Sequence, residues 1–395
     1  MGVLSKKPLF VRLARPTYGR WLLWRHRVRA VGMEQLVAME RPFLVLANHV
    51  HTMDPFIISA ASSVHIRWVA GAYLFKLFGL RPLLEQWVGA ISKIQDKSDM
   101  FTIRTIAEAL KNGDVVGLFP EGTRTWDGEP VGFDKAIAKM IKIFGVSVVL
   151  INLEGFYGAR PRWARRRRSG PTLVRVVSTL TAEEIKRLRT DDLYAYLKEH
   201  LDYSYRSWQE ANGVRFSQKR GAEGLEQILY LCPHCKRAST ITTHRRTIAC
   251  TACSFATHLD EYDRLDQGAA PITDIAAWHR WETEYLGTEA GRATVFPPDE
   301  GVLLQRIEAK GLVTLSKRFS LTLQGDGLAI TTADGEVLHF AFSSITSMVI
   351  NAKNTLEITS DGRRYRIRIE KNGAIIKYLE YGRQWAAATT TGGTA

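Results

Sequence analysis

Between residue 42 and about residue 180, short apolar runs alternate with segments of helical character, and this narrows the fold more than any other property of the sequence. Phe43–Ala47, Val115–Phe119 and Val146–Asn152 read as buried strands. Pro55–Ser62, Phe101–Lys111 and Lys135–Phe144 read as helices, the second of them stopped by Asn112-Gly113. Strands whose residues are apolar throughout, separated by helices, indicate an α/β domain with a largely parallel sheet covered on both faces. We assign that domain to residues 41–215, with a helical stretch over Ala182–Gln209 included.

Chemistry concentrates in two of the connecting loops. The first is Asn48-His-Val-His-Thr-Met-Asp54. Asp54-Pro55 suits a helix start, with Asp54 as the cap and Pro55 in the first turn. His49 then lies beyond the carboxyl end of a parallel strand, where sites in open α/β sheets gather. The spacing lets Asp54 fold back onto the His49 ring, fix its tautomer and leave the other nitrogen as a general base. His51 competes for that role. The second loop is Phe119-Pro-Glu-Gly-Thr-Arg-Thr125. Gly122 permits close backbone approach, and Thr123 and Arg124 suit a phosphate, Arg through its planar fork of donors.

Both loops, in this order and at this separation, resemble the glycerolipid acyltransferase family that includes the 1-acylglycerol-3-phosphate acyltransferases. The resemblance covers about the first half of the chain. It implies that His49 is the catalytic base with Asp54 as its partner, and that Glu121, Gly122, Thr123 and Arg124 belong to the acceptor's phosphate site. It implies direct transfer of a fatty acyl group from acyl-CoA or acyl carrier protein to the hydroxyl of a lysophospholipid, with no catalytic cofactor. The sequence departs from the family pattern in Gly89-Ala-Ile-Ser-Lys-Ile-Gln-Asp96, where Gln95 stands at the usual arginine position and Lys93 is the nearby cation. It departs again in Val146-Ser-Val-Val-Leu150, which lacks the usual proline. Lys93 is accordingly included among the substrate-binding candidates.

A net charge of +14 directs attention to anionic partners. No apolar run reaches the roughly 18 residues of a membrane-spanning helix, and no secretory signal is evident. Residues 1–40 mix aromatics with arginine. A helix over 16–29 would bring Trp21, Trp24 and Val28 onto one side, flanked by Arg20, Arg25 and Arg29. This fits a helix lying on a membrane surface, and equally an ordinary surface helix packed on the core. The run Arg160-Pro-Arg-Trp-Ala-Arg-Arg-Arg-Arg168 fits an anionic lipid face or a solvated loop. The expectation is a cytoplasmic protein, peripheral on the inner face of the membrane.

All four cysteines fall in Leu231-Cys-Pro-His-Cys235 and Ala249-Cys-Thr-Ala-Cys253. Two CxxC knuckles on a short hairpin, Thr240–Thr243 with Arg246–Ala249, fit tetrahedral zinc. Cys232, Cys235, Cys250 and Cys253 would complete its shell, so the metal is structural. We place this zinc ribbon at 225–260, a helical linker at 261–300, and a β-rich domain similar to pleckstrin-homology modules at 301–386. A helix over Gly373–Trp385 closes that domain, and a disordered Thr/Gly/Ala tail occupies 387–395. The β-rich domain can serve lipid head groups, proteins or packing alone. Two other functions compete: a nucleic-acid-binding zinc-ribbon protein, and a non-catalytic lipid-binding scaffold. The two loops favour the enzyme, with no nucleic acid as partner.

Overall fold

The computed structural model describes residues 9–75, 80–93, 100–266, 272–308 and 311–391. The chain divides into two compact units. The first comprises Met1–Arg162 and Arg168–Phe216; the second comprises Trp163–Arg167 and Ser217–Ala395.

Among its described residues the first unit is built on a seven-stranded sheet. Its strands are β1 (Val28–Val31), β2 (Phe43–Ala47), β3 (Ile66–Gly71), β4 (Ile91–Lys93), β5 (Val115–Leu118), β6 (Ser147–Glu154) and β7 (Thr172–Leu180), in the order β1-β7-β6-β2-β5-β3-β4. Neighbours run parallel except β6 and β7, so the sheet is mixed, with one antiparallel pair. Alternate residues of β2 face opposite layers. Phe43, Val45 and Ala47 pack with Ile57, Ile58 and Phe156, whereas Leu44 and Leu46 pack with Ile106, Ile141 and Leu197. Helices therefore cover both faces, which is why β2 is apolar at every position. Gly117 in β5 has a steric reason: a Cβ there would meet the Trp68 ring at 2.6 Å.

The N-terminal segment differs from the single helix expected over 16–29. The chain is helical over Leu9–Ala14 and Arg20–Arg25, with a wider π turn at Arg15–Gly19 between them. Pro16 lies in that turn and has no N–H to donate, so the regular hydrogen-bond ladder is displaced there. Val28 is not on the helix at all; it begins β1 and pairs with Thr172. The face left open carries Leu9, Phe10, Leu13, Tyr18, Trp21 and Trp24, all exposed. No described helix is long and apolar enough to cross a membrane. The expected Ala182–Gln209 stretch is three helices, Ala182–Arg187, Thr190–Leu201 and Tyr205–Asn212.

The second unit has a three-stranded antiparallel sheet, β8 (Ile241–His244), β9 (Thr247–Cys250) and β10 (Ala256–His258), with Cys250 at the end of β9, Cys253 in the loop after it, and Cys232 and Cys235 ahead of β8. The helix Ile275–Leu286 follows, capped by the Asp274 side chain on Ala277 N–H. Then come β11 (Asp299–Glu308), β12 (Gly311–Ser316), β13 (Phe319–Gln324), β14 (Gly327–Thr332), β15 (Val337–Ala341), β16 (Ile345–Asn351), β17 (Thr355–Ser360) and β18 (Arg363–Ile369). They form one antiparallel sheet in the order β15-β14-β13-β11-β18-β17-β16, with β12 added on β11. The closing helix is tied to this sheet by the Tyr378 hydroxyl, which donates to Asp299 at 2.6 Å and to the Leu321 carbonyl at 3.0 Å.

That helix spans Ile376–Thr391, so the Ala/Thr stretch expected to be disordered is helical through Thr391. Alanine is the strongest helix former, and it dominates Ala386–Ala388 just where the helix is extended.

Candidate active site and cysteine cluster

β2 and β5 are hydrogen-bonded neighbours running the same way, so both loops of interest leave the sheet at one edge. Their backbones are joined there. His49 N–H donates to Glu121 Oε1 at 3.0 Å, and Thr125 N–H donates to the His49 carbonyl at 3.1 Å. The Phe119 ring stacks on His49 with centroids 4.2 Å apart, and Trp68 in turn stacks on Phe119 at 4.9 Å. Asn48 clasps the next strand: its Oδ1 accepts from Leu153 N–H at 2.7 Å.

Asp54 does not cap its helix. The helix begins at Asp54 itself, and no side chain caps its first turn. The fully buried carboxylate instead turns back, and Oδ2 accepts from Val50 N–H, His51 N–H and His49 Nδ1, each at 2.8 Å. The physical reason is that loop and helix start both present donors, and only the loop also offers an imidazole. With Nδ1–H committed to Asp54, the free nitrogen of His49 is Nε2, and the side chain keeps 20% of its surface open. Burial holds the imidazole below its ordinary pKa, against the pull of Asp54; Arg124 and Arg162 push the same way as burial. The ring is therefore a neutral base near neutral pH.

His51 is built differently. It is 4% exposed, and its Nδ1 accepts Met53 N–H at 3.1 Å. The remaining nitrogen carries the proton and is buried, and burial drives the pKa down to about 4. This ring has no basic lone pair to offer a substrate.

The second loop presents two kinds of residue. Gly122 has φ +68°, and a Cβ there would meet nothing within 4 Å, so the turn is left-handed and open. Thr123 and Arg124 are half-buried beside it. Glu121 points inward, and burial pushes its carboxyl up to about 8 against the backbone donors of His49 and Val131. Its contacts are with the loops themselves. Lys93 ends β4, three strands from β2 on the same sheet edge, roughly 14 Å away at ordinary strand spacing. Gln95 lies outside the described residues.

Residues 27–153 match the family model described as Acyltransferase. This chain carries an acyltransferase-family domain. A chloroplastic 1-acyl-sn-glycerol-3-phosphate acyltransferase of Arabidopsis thaliana is 27% identical over 131 residues, 33% of this chain and 36% of that protein. A lyso-ornithine lipid O-acyltransferase of Rhizobium meliloti is 33% identical over 117 residues, 28% of this chain and 39% of that protein. The chain thus spans well under half the length of these relatives. The crystal structure of the 1-acyl-sn-glycerophosphate acyltransferase from Thermotoga maritima aligns with a TM-score of 0.43 at 23% identity, covering 53% of this chain and 81% of that one.

Within the acyltransferase domain's unit, three residues escaped the sequence: Asn48 as a clasp, Phe119 as a stacking platform, and Arg162. The arginine run is not one solvated stripe. Arg162 and Arg168 are buried, at 3% and 2% exposure, while Arg165 and Arg166 are exposed.

In the second unit the four cysteines are free thiols whose sulfurs all lie within 4.8 Å of one another. Cys232 and Cys253 Sγ are 3.7 Å apart, and Cys235 and Cys250 Sγ 3.8 Å. A tetrahedron of sulfurs about 2.3 Å from a zinc ion has edges of roughly 3.8 Å, so the cluster fits that ion. The segment entering the first knuckle is pinned by Glu282, whose Oε2 accepts from Tyr230 N–H at 3.1 Å and Leu231 N–H at 3.0 Å.

Proposed function

We propose that this protein transfers a fatty acyl group from a thioester, acyl-CoA or acyl carrier protein, to the hydroxyl of a lysophospholipid such as 1-acylglycerol-3-phosphate. The observation that carries the proposal is the meeting of the His49–Asp54 pair with the open Gly122-Thr123-Arg124 turn at one sheet edge. His49 Nε2 takes the acceptor's hydroxyl proton as the oxygen attacks the thioester carbonyl. The C–S bond then breaks, and the imidazolium returns the proton to the departing sulfur. Asp54 holds the ring and balances its transient charge. Arg124 and Thr123 hold the acceptor's phosphate, and Lys93 contributes positive potential from farther along the edge. Glu121 positions the loop from behind.

The zinc-ribbon reading of the second unit belongs to the same proposal. Cys232, Cys235, Cys250 and Cys253 would hold one zinc ion with a closed, structural shell. The exposed aromatic face of residues 9–24 supports attachment to a membrane surface, with the anionic inner leaflet as the site of work. The strand-rich segment supports a pleckstrin-homology-like module at the level of strand pattern.

The test is incubation of the purified protein with a lipid extract and isotope-labelled acyl-CoA or acyl carrier protein, with mass spectrometry of the products. A labelled diacyl phospholipid that disappears with His49→Ala supports the reading. A wild-type protein that labels no lipid with either donor rejects it.

A further inference from the structure

Arg162 lies outside both loops and beyond the segment matched by the family model. It follows β6 and the short helix Phe156–Ala159, and reaches back to the loop after β5. Its NH1 donates to Thr123 Oγ1 and to the Arg124 carbonyl, both at 3.2 Å. Its guanidinium carbon sits 4.0 Å from the centre of the buried Trp126 ring. One side chain thus engages Thr123, Arg124 and Trp126.

We propose that Arg162 is a positioning and specificity residue that braces the Gly122–Arg124 turn from beneath and makes it selective for an acceptor bearing a phosphate. The proposal rests on acyl transfer at His49. Burying a guanidinium at 3% exposure is costly, and an apolar side chain would support a loop at lower cost. What the charge adds is fixed positive potential under a turn that opens toward an anion, already oriented before substrate arrives. By orienting Thr123 Oγ1 and the Arg124 backbone, Arg162 also fixes the base from which the Arg124 side chain projects. Stacking on Trp126 holds the guanidinium plane, a geometry lysine cannot reproduce.

The experiment compares wild type, Arg162→Gln and Arg162→Lys with lysophosphatidate as acceptor and acyl-CoA as donor. Arg162→Gln should raise the acceptor's KM about ten-fold or more while leaving the acyl-CoA KM within about two-fold. It should also move the acid limb of the pH–rate profile upward. The charges that act on the His49 ring are Asp54, Arg124 and Arg162, while Glu121, which accepts the His49 backbone N–H, holds its proton up to about pH 8; removing one cation favours the imidazolium. Arg162→Lys keeps the charge and so the limb, but loses the stacked fork, and should raise the acceptor KM several-fold. Equal changes in both Michaelis constants, or none, overturn the proposal. If Arg162→Gln does not fold, Arg162→Lys decides, and a wild-type acceptor KM in it overturns the proposal. A wild-type protein without acyl transfer overturns the underlying reading and this one with it; an active wild type with indifferent Arg162 variants overturns this one alone.

Discussion

One oxygen of Asp54, Oδ2, accepts three hydrogen bonds at 2.8 Å: from His49 Nδ1 and from the backbone N–H groups of Val50 and His51. The carboxylate therefore shapes the loop as well as orienting the imidazole. Asp54→Asn keeps an oxygen for the two backbone donors but removes the charge that favours the imidazolium in the transition state. Turnover should fall by about 100-fold or more, with the melting temperature changed by only a few degrees. Asp54→Ala removes both functions and should lower stability as well, because Val50 and His51 N–H lose their buried acceptor. Equal turnover in wild type and Asp54→Asn would leave the carboxylate a loop-shaping group alone.

The two histidines of the first loop should separate cleanly. His49→Ala removes the only ring in the loop with a free basic nitrogen, and acyl transfer should fall by roughly 100- to 10,000-fold. His51→Asn should leave turnover within about ten-fold, because the His51 acceptor nitrogen serves Met53 N–H and its pKa lies near 4. The rates of both variants in one assay check the assignment. A His51→Asn as dead as His49→Ala would make the assignment untenable.

Much of this site was legible in the chain, for physical reasons that differ by residue. A strand buried on both faces must be apolar throughout, so Phe43–Ala47 announces itself, and the loop that follows is where His49 stands. Asp54 was legible as a partner of His49 but misread as a cap, since Asp-Pro suits a helix start whichever way the carboxylate turns. Arg162 and Thr123 are 39 positions apart, and Asn48 and Leu153 are 105 apart; nothing local marks such pairs. The arginine run reads as one patch of charge, because composition does not record which guanidinium finds an aromatic ring and a carbonyl to lie against. Val28 was misplaced on a helix for a related reason. Its side chain fits the helical spacing of Trp21 and Trp24, but pairing with Thr172 outweighs that local preference.

Glu121 gives the first unit a pH signature. Its carboxyl is pushed from 4.5 up to about 8 by burial, so the folded state holds the proton more tightly than the unfolded chain. The stability it contributes is complete below about pH 4.5 and is lost as pH rises to about 8, because only the unfolded chain ionises in that interval. Glu121→Gln keeps an oxygen for His49 N–H and cannot ionise. The variant's melting temperature should gain on wild type steadily from pH 5 to pH 8 and level off above it. Thermal melts of both proteins across that range, fully parallel at every pH, would show that Glu121 ionises normally in the folded state.

The cysteine cluster makes the most direct prediction, because its sulfur spacing suits a tetrahedral metal ion and not a disulfide. Sulfurs 3.7 and 3.8 Å apart are too far for a disulfide, whose S–S distance is about 2 Å, and they match the edges of a zinc-centred tetrahedron. Protein purified without chelator should contain close to one zinc per chain. Four thiolates around such an ion would leave no open position, so it would contribute folding energy and no chemistry. Removing it, or making Cys232→Ser, should loosen the second unit first, beginning at the Tyr230–Leu231 segment that Glu282 holds. The His49 site belongs to the other unit. Acyl transfer should therefore persist in whatever fraction of the variant stays folded, while proteolysis of the second unit accelerates. Loss of turnover in step with zinc loss, in protein whose first unit still melts cooperatively, would give the metal a part in the reaction that a closed shell does not allow.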